Sequence, residues 1–127
     1  MYTDVAWYSA DYTSFSIDSE SKQYAIHISG FSGNASDSLT DRSVGSDLYH
    51  GGMSFSTPNI NNDRDNSSCA NQYRAGWWFN DCGYSCLTCK HGGGNFYWKG
   101  LNHLQSKGKL GAALMMIQRR ICALRSN

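Results

Sequence analysis

Apolar and polar residues alternate most cleanly in "KQYAIHIS", where Tyr24, Ile26 and Ile28 interleave with Ala25, His27 and Ser29. A period of two is the mark of a half-buried strand, because successive side chains leave opposite faces of a sheet. "YTSFSI" offers a weaker version of the same pattern. Gly30, Gly33, Asn34 and Asp37 then break the chain into a turn-rich segment with, at most, a short helical turn over 37–39. From Asp41 to Asn66 the sequence is mostly polar, interrupted by the strand-like "GMSFST". So long a stretch without periodicity needs something to order it, and a bound ion would serve. Beyond it, "CANQY" reads as one helical turn, "GWWF" as a short buried strand, and "GGGNFYWKG" as a glycine hinge feeding an aromatic strand. "LGAALMMIQRR" favours helix by propensity, since Leu, Ala and Met are all good helix formers.

Composition narrows the function classes. The chain has 127 residues, enough for one domain, with 17% charged residues and a net charge of +1. Such a balance gives no electrostatic footprint for nucleic acid or a membrane surface, and no apolar run reaches the length of a membrane span. Four of the five cysteines (Cys69, Cys82, Cys86, Cys89) crowd into one segment, while Cys122 stands alone near the end. Clustered cysteines in a Gly-, Ser- and Tyr-rich chain point to an oxidising, secreted setting. Sequons at Asn34 and Asn66 agree with this as glycosylation sites. The beginning of the sequence shows neither a basic leader nor an apolar h-region. Extracellular composition without an export signal creates the expectation that a segment precedes Met1.

The polar loop offers a cation site or a solvated turn. Asn61, Asp63, Asp65 and Ser67 occupy alternate positions, and Ca²⁺ takes six to eight hard oxygen ligands. The EF-hand pattern fails, because Asn66 stands where its glycine belongs and Gln72 where its bidentate glutamate belongs. Spacing alone favours a solvated, Asx-rich loop. Cys82, Cys86, Cys89 and His91 have a Cys₃His zinc composition, but within so short a span structural disulfides are the default. The aromatics Trp77, Trp78, Phe79, Phe96, Tyr97 and Trp98 could form a ligand platform, though aromatics in short strands are more often core. The four histidines have no nucleophile or carboxylate at a telling spacing, so no catalytic constellation is present and the chain reads as non-enzymatic.

Five blocks carry a more specific signal: "FSGNASDSL", "HGGMSFST", "DRDNSSCA", "GWWFNDC" and "ALMMIQRR" occur in this order. They resemble the C-terminal domains of fibrinogen-related proteins, the family that includes fibrinogen chains, ficolins, tachylectins, angiopoietins and tenascins. The resemblance covers nearly the whole chain. It implies an α+β fold, mostly antiparallel β with few short helices and a loop-rich calcium and ligand region. The expected division is central sheet in 1–50, calcium and ligand loops in 51–109, and a strand returning to the sheet over 110–118, with the N-terminal subdomain missing. That returning strand overrides the helix propensity of the same residues. The resemblance also implies a Cys69–Cys82 disulfide and one structural Ca²⁺, held by the side chains of Asn61 and Asp63 and the carbonyls of Asp65 and Ser67. Asparagine at 61, where the family usually has aspartate, should weaken the ion's binding.

Family lectins hold acetylated groups beside the calcium loop. Tyr73 matches their pocket tyrosine, and Cys82-Gly83 matches a Cys-His pair whose amides meet the ligand. Glycine at 83 is what angiopoietins carry, and those bind protein receptors. His91, Phe96 and Tyr97 are left to line the remainder, and Cys86 with Cys89 can form an extra disulfide. The expectation is therefore a secreted, lectin-like recognition module of the innate-immune type, binding acetylated glycans or microbial surface ligands. The alternatives are a protein-receptor ligand and a matrix or coagulation adhesion module. Oligomerisation would come from segments outside this chain.

Overall fold

The computed structural model describes residues 6–91, 95–104 and 106–119. Strand β1 (Asp11–Ile17) pairs antiparallel with β2 (Ile26–Ser32), in a register that sets Tyr12 opposite Phe31 and Ile17 opposite Ile26. The alternation in "KQYAIHIS" thus produces its strand, but two residues later than the pattern begins. Gln23 and Tyr24 both adopt left-handed backbone (φ 55° and 56°), closing the turn that follows a 3₁₀ turn at Glu20–Lys22. Tyr24 is consequently exposed, and its carbonyl accepts a hydrogen bond from the Trp78 indole at 2.9 Å.

The helical turn allowed over 37–39 is absent. The Asp37 carboxylate instead accepts from the Leu39 and Thr40 amides and from the Tyr12 and Thr40 hydroxyls, an Asx-centred turn that ties the segment to β1. "GMSFST" and "GWWF" shrink to a single bridge between Ser56 and Trp77, while Ile26 on β2 donates its amide to the Met53 carbonyl and accepts from the Gly52 amide. Helix α1 (Cys69–Tyr73) is the single turn read from "CANQY", capped by the Ser68 side chain. Two-residue strands β3 (Ser85–Cys86) and β4 (Tyr97–Trp98) pair antiparallel. The observed architecture is therefore α+β, with short antiparallel sheets and little helix.

The core is aromatic. Trp77, Phe79, Trp98 and Tyr97 are buried with Ile26 and Leu101, and Trp77 packs edge-on against Trp78 at 5.2 Å. These residues are interior packing and not an exposed platform. His50 is buried among them, and its environment governs the loop that follows Cys82.

Residues 110–118 depart from expectation. Leu110 donates its amide to the Phe96 carbonyl, but 111–119 form neither strand nor helix. Leu114, Met115, Met116 and Ile117 are 55–82% exposed. A strand is stabilised by its neighbour's ladder, and the β1–β2 pair extends no hydrogen bonds to this segment. Helix propensity also fails there, because so short a segment without packing is marginal as an isolated helix. Cys122 and Arg120 lie outside the described residues.

Candidate ligand and cation site

The alternating oxygens of the polar loop organise its backbone. The Asn61 amide oxygen accepts from the Asp63 N–H, Asp63 Oδ1 from the Asp65 N–H, and Asp65 Oδ2 from the Ser67 N–H, each at 3.0–3.1 Å. Each side chain therefore closes the turn that presents the next, a ladder of Asx turns. Asp63 Oδ2 accepts from the Cys69 amide at 2.9 Å and so joins the ladder to α1. Asn62 anchors the other end, donating to the Phe55 carbonyl at 2.7 Å. Asn66 is exposed on this loop, and Asn34 is exposed near β1 with its amide oxygen on the Ser9 N–H.

Negative charge accumulates around the ladder. Asp81 is held above the ordinary aspartate range, by partial desolvation first, then by its hydrogen bond with Asp65 and by repulsion from Asp65, Asp47 and Asp63. Asp65 is held below it, chiefly by the Ser67 hydroxyl. The carboxylates of Asp63, Asp65 and Asp81 and the Asn61 amide gather hard oxygens around one loop, a donor chemistry that fits Ca²⁺. The Asp65 carboxylate also lies near the sulfurs of Cys69 and Cys82, but both are joined in a disulfide (Cα–Cα 5.4 Å) and supply no thiolate. Cys86 and Cys89 form a second disulfide, so a Cys₃His zinc site does not assemble.

Tyr73, at the end of α1, is half-buried against Phe79 at 5.8 Å. Its phenol is raised by partial burial and then by the charges of Asp65 and Asp81. Tyr97 on β4 is buried, its hydroxyl donates to the Gly83 carbonyl at 2.9 Å, and burial pushes its pKa up to about 12. The two tyrosines meet at a cleft of about 290 Å³, whose other walls are Asn95, Lys99, Lys107 and Lys109. Lys99 lies 5.6 Å from the Tyr97 ring centre, and Lys109 is placed by its bridge to Tyr97.

The remaining expected ligand residues do not line this cleft. The exposed His91 bonds the Gly111 carbonyl at 2.8 Å and packs against Phe96. Cys82 and Gly83 stand behind it, and every peptide bond among the described residues is trans. His50 explains the arrangement there. Its Nδ1 bonds the Trp78 carbonyl at 2.8 Å, while Nε2 lies 3.0 Å and 3.2 Å from the amides of Tyr84 and Ser85. Nε2 must accept from both, which fixes the Nδ1–H tautomer and leaves the ring neutral. Burial holds its pKa down to about 4.

Sequence reading missed His50 and the three lysines. The lysines were legible only as "WKG" and "SKGKL", and a whole-chain charge of +1 conceals their segregation from the aspartates. Nothing in the sequence distinguishes a His with two amide donors from any other.

Comparison with known proteins agrees with this architecture. The family model described as "Fibrinogen beta and gamma chains, C-terminal globular domain" matches residues 3–120. Tenascin of Gallus gallus is 34% identical over 98 residues, covering 72% of this chain and 5% of that protein. The fibrinogen-like globe domain of human ANGPTL6 superposes with a TM-score of 0.62 at 30% identity, covering 73% of this chain and 42% of that one. A lamprey fibrin D-dimer complexed with the peptide Gly-His-Arg-Pro-amide gives 0.58 at 31% identity, covering 77% and 32%. The chain thus spans less than half the length of each of these three proteins. The chain belongs to the fibrinogen C-terminal globular domain family.

Proposed function

We propose that this chain is the ligand-binding part of a secreted, non-enzymatic recognition module that takes acetylated glycans or microbial surface ligands in the Tyr73–Tyr97 cleft. The observation that carries this reading is the position of the cleft beside an oxygen-rich loop, with Tyr73 between them. In this reading 51–109 is the ligand-facing region. Asn61 and Asp63 would hold a structural Ca²⁺ with their side chains, and Asp65 and Ser67 with their carbonyls. The ion, when bound, neutralises the aspartates and stiffens the loop that ends in α1 and Tyr73. Loss of one formal charge at Asn61 weakens the site relative to an aspartate.

Calorimetric titration is expected to show Ca²⁺ uptake in the millimolar range. Asp63→Ala should lower affinity by about tenfold or more, because it removes a charged ligand and the acceptor for the Cys69 amide. An unchanged titration in that variant, or no uptake by the parent chain, refutes the assignment. For the cleft, binding to immobilised N-acetylated oligosaccharides should fall with Tyr73→Ala and with chelator.

A protein-receptor reading has its own support. The amides of Tyr84 and Ser85 are already engaged by His50, and Gly83 offers no side chain, so this face presents few donors for an acetyl group. Chelator-insensitive binding to a cell-surface protein would favour it.

A further inference from the structure

The β1–β2 pair leaves one edge of β2 open. The Asp18 amide donates to the Ala25 carbonyl across the pair, so odd-numbered positions of β2 turn their backbone groups toward β1. Even-numbered positions turn theirs away. Ile26 shows this directly, since its amide and carbonyl bond Met53 and Gly52 on the outer side. Ile28 is the next residue of that parity, and among the described residues no backbone group outside the pair bonds its amide or carbonyl. An unpaired strand edge is a template for another extended chain. Gly30, with φ 78°, departs from extended backbone two residues on, so the free edge is short.

The edge runs along a cleft of about 480 Å³ that shares no residue with the one between Tyr73 and Tyr97. Ser14 stands opposite Ser29 in the register, and both line the cleft with His27 on the sheet face that Ile26 and Ile28 turn away from. Arg42 and Tyr49 line it as well, the guanidinium 5.0 Å from the centre of the tyrosine ring, a contact that limits its freedom. No carboxylate lines the cleft, and Arg42 forms no ion pair among the described residues.

We propose that an extended peptide segment of a partner protein, carrying an acidic residue, adds as a strand to β2 at Ile28. The Ile28 amide donates to, and its carbonyl accepts from, the backbone of one peptide residue. The neighbours of that residue turn their side chains to the face of His27 and Ser29, because successive side chains alternate. There Arg42 receives a carboxylate, which its planar fork matches. A backbone donor and acceptor set as in a strand fit a peptide rather than a sugar ring. A second copy of this chain is a poorer occupant. Its exposed apolar stretch over 114–117 leads into Gln118 and Arg119, which bring like charge to Arg42.

The test titrates the chain with acetyl-Thr-Asp-Val-Asp-Thr-amide, its valine placed to pair with Ile28, and follows amide hydrogen exchange residue by residue. Binding is expected to slow exchange of the Ile28 amide. The counterpart with lysine at both aspartate positions should bind about tenfold more weakly. So should the aspartate peptide N-methylated at valine, which keeps its charge but loses the strand donor. Arg42→Gln should remove most of the preference for aspartate over lysine. Lys90→Gln, which changes the same charge outside the cleft, should leave it unaltered. Both side chains are exposed, so these variants keep the fold. Equal binding of the N-methylated peptide overturns strand addition, since it marks attraction by charge alone. Equal binding of the lysine peptide overturns the acidic partner. Slowed exchange at Tyr73 and Tyr97 instead of Ile28 overturns the location, and binding of no peptide overturns the whole. Protection of Ile28 that grows with the concentration of the chain alone assigns the edge to a second copy and overturns the proposal too.

Discussion

Gly83→Ala is expected to destabilise the chain by about 3 kcal/mol or more, through overpacking and backbone strain acting together. A methyl group at this position would sit 2.1 Å from His50 Cε1 and 2.5 Å from Nε2. The backbone φ of +136° is also one that L-residues rarely adopt. The imidazole cannot withdraw, because three hydrogen bonds hold it and Trp77 packs against it in a T-shaped contact at 6.1 Å. Denaturant midpoints of the parent and variant measure the loss. The decisive comparison repeats Gly83→Ala in a His50→Ala background. There the clash is gone, so the second substitution should cost much less than the first alone. Equal costs in both backgrounds would show that His50 is not what excludes a side chain at 83. The same geometry gives glycine at this position a steric reason, independent of the ligand the domain binds.

Acidification is expected to remove about 3 kcal/mol of stability between pH 6.5 and pH 4, from His50 alone. The folded pKa lies near 4, well below the ordinary histidine value of 6.5, because burial excludes the charged ring. The unfolded chain therefore binds its proton first as pH falls. Stability is complete above pH 6.5, declines through the window, and is lost in full at the folded pKa. At about 1.4 kcal/mol per pH unit, the interval of roughly 2.5 units gives that figure. Once protonated, Nε2 becomes a donor facing the two donors of Tyr84 and Ser85, so local opening of the loop should accompany protonation. Denaturant unfolding at a series of pH values tests the slope, and the His50 Cε1 proton resonance should remain at its neutral position down to pH 5. A flat stability profile across the window would contradict a His50 ring held neutral by burial.

What could be read from the chain divides along the range of the interactions involved. Strand β1, strand β2 and the single turn α1 are set by local alternation and by Ser68 as a cap, both visible in one dimension. The Asx ladder was half visible. The spacing of Asn61, Asp63, Asp65 and Ser67 is local, but spacing alone reads as a solvated turn. Only the neighbouring "GWWFNDC" block changed that reading by identifying the family. The cleft was not legible, because Lys99, Lys107, Lys109 and Tyr73 come together through the β3–β4 pairing and a turn, across distant positions. Residues 110–117 show the reverse case. Family and propensity each assign them an ordered element, yet a strand requires a neighbour to complete its ladder, and residues 111–117 pair with none among the described residues.

The adjacent tryptophans give the interior an optical signature. Trp77 and Trp78 hold their rings 5.2 Å apart and inclined at 64°. Two identical chromophores so close, and neither parallel nor perpendicular, couple their strongest transitions into a chiral pair. The far-ultraviolet circular dichroism should carry an exciton couplet that the scant helix and strand cannot produce. Its sign and size depend on the mutual tilt of the rings, so it vanishes when the core loosens even if the disulfides hold the chain nearly in place. Spectra recorded on reduced and oxidised protein would therefore separate cross-linking from true packing.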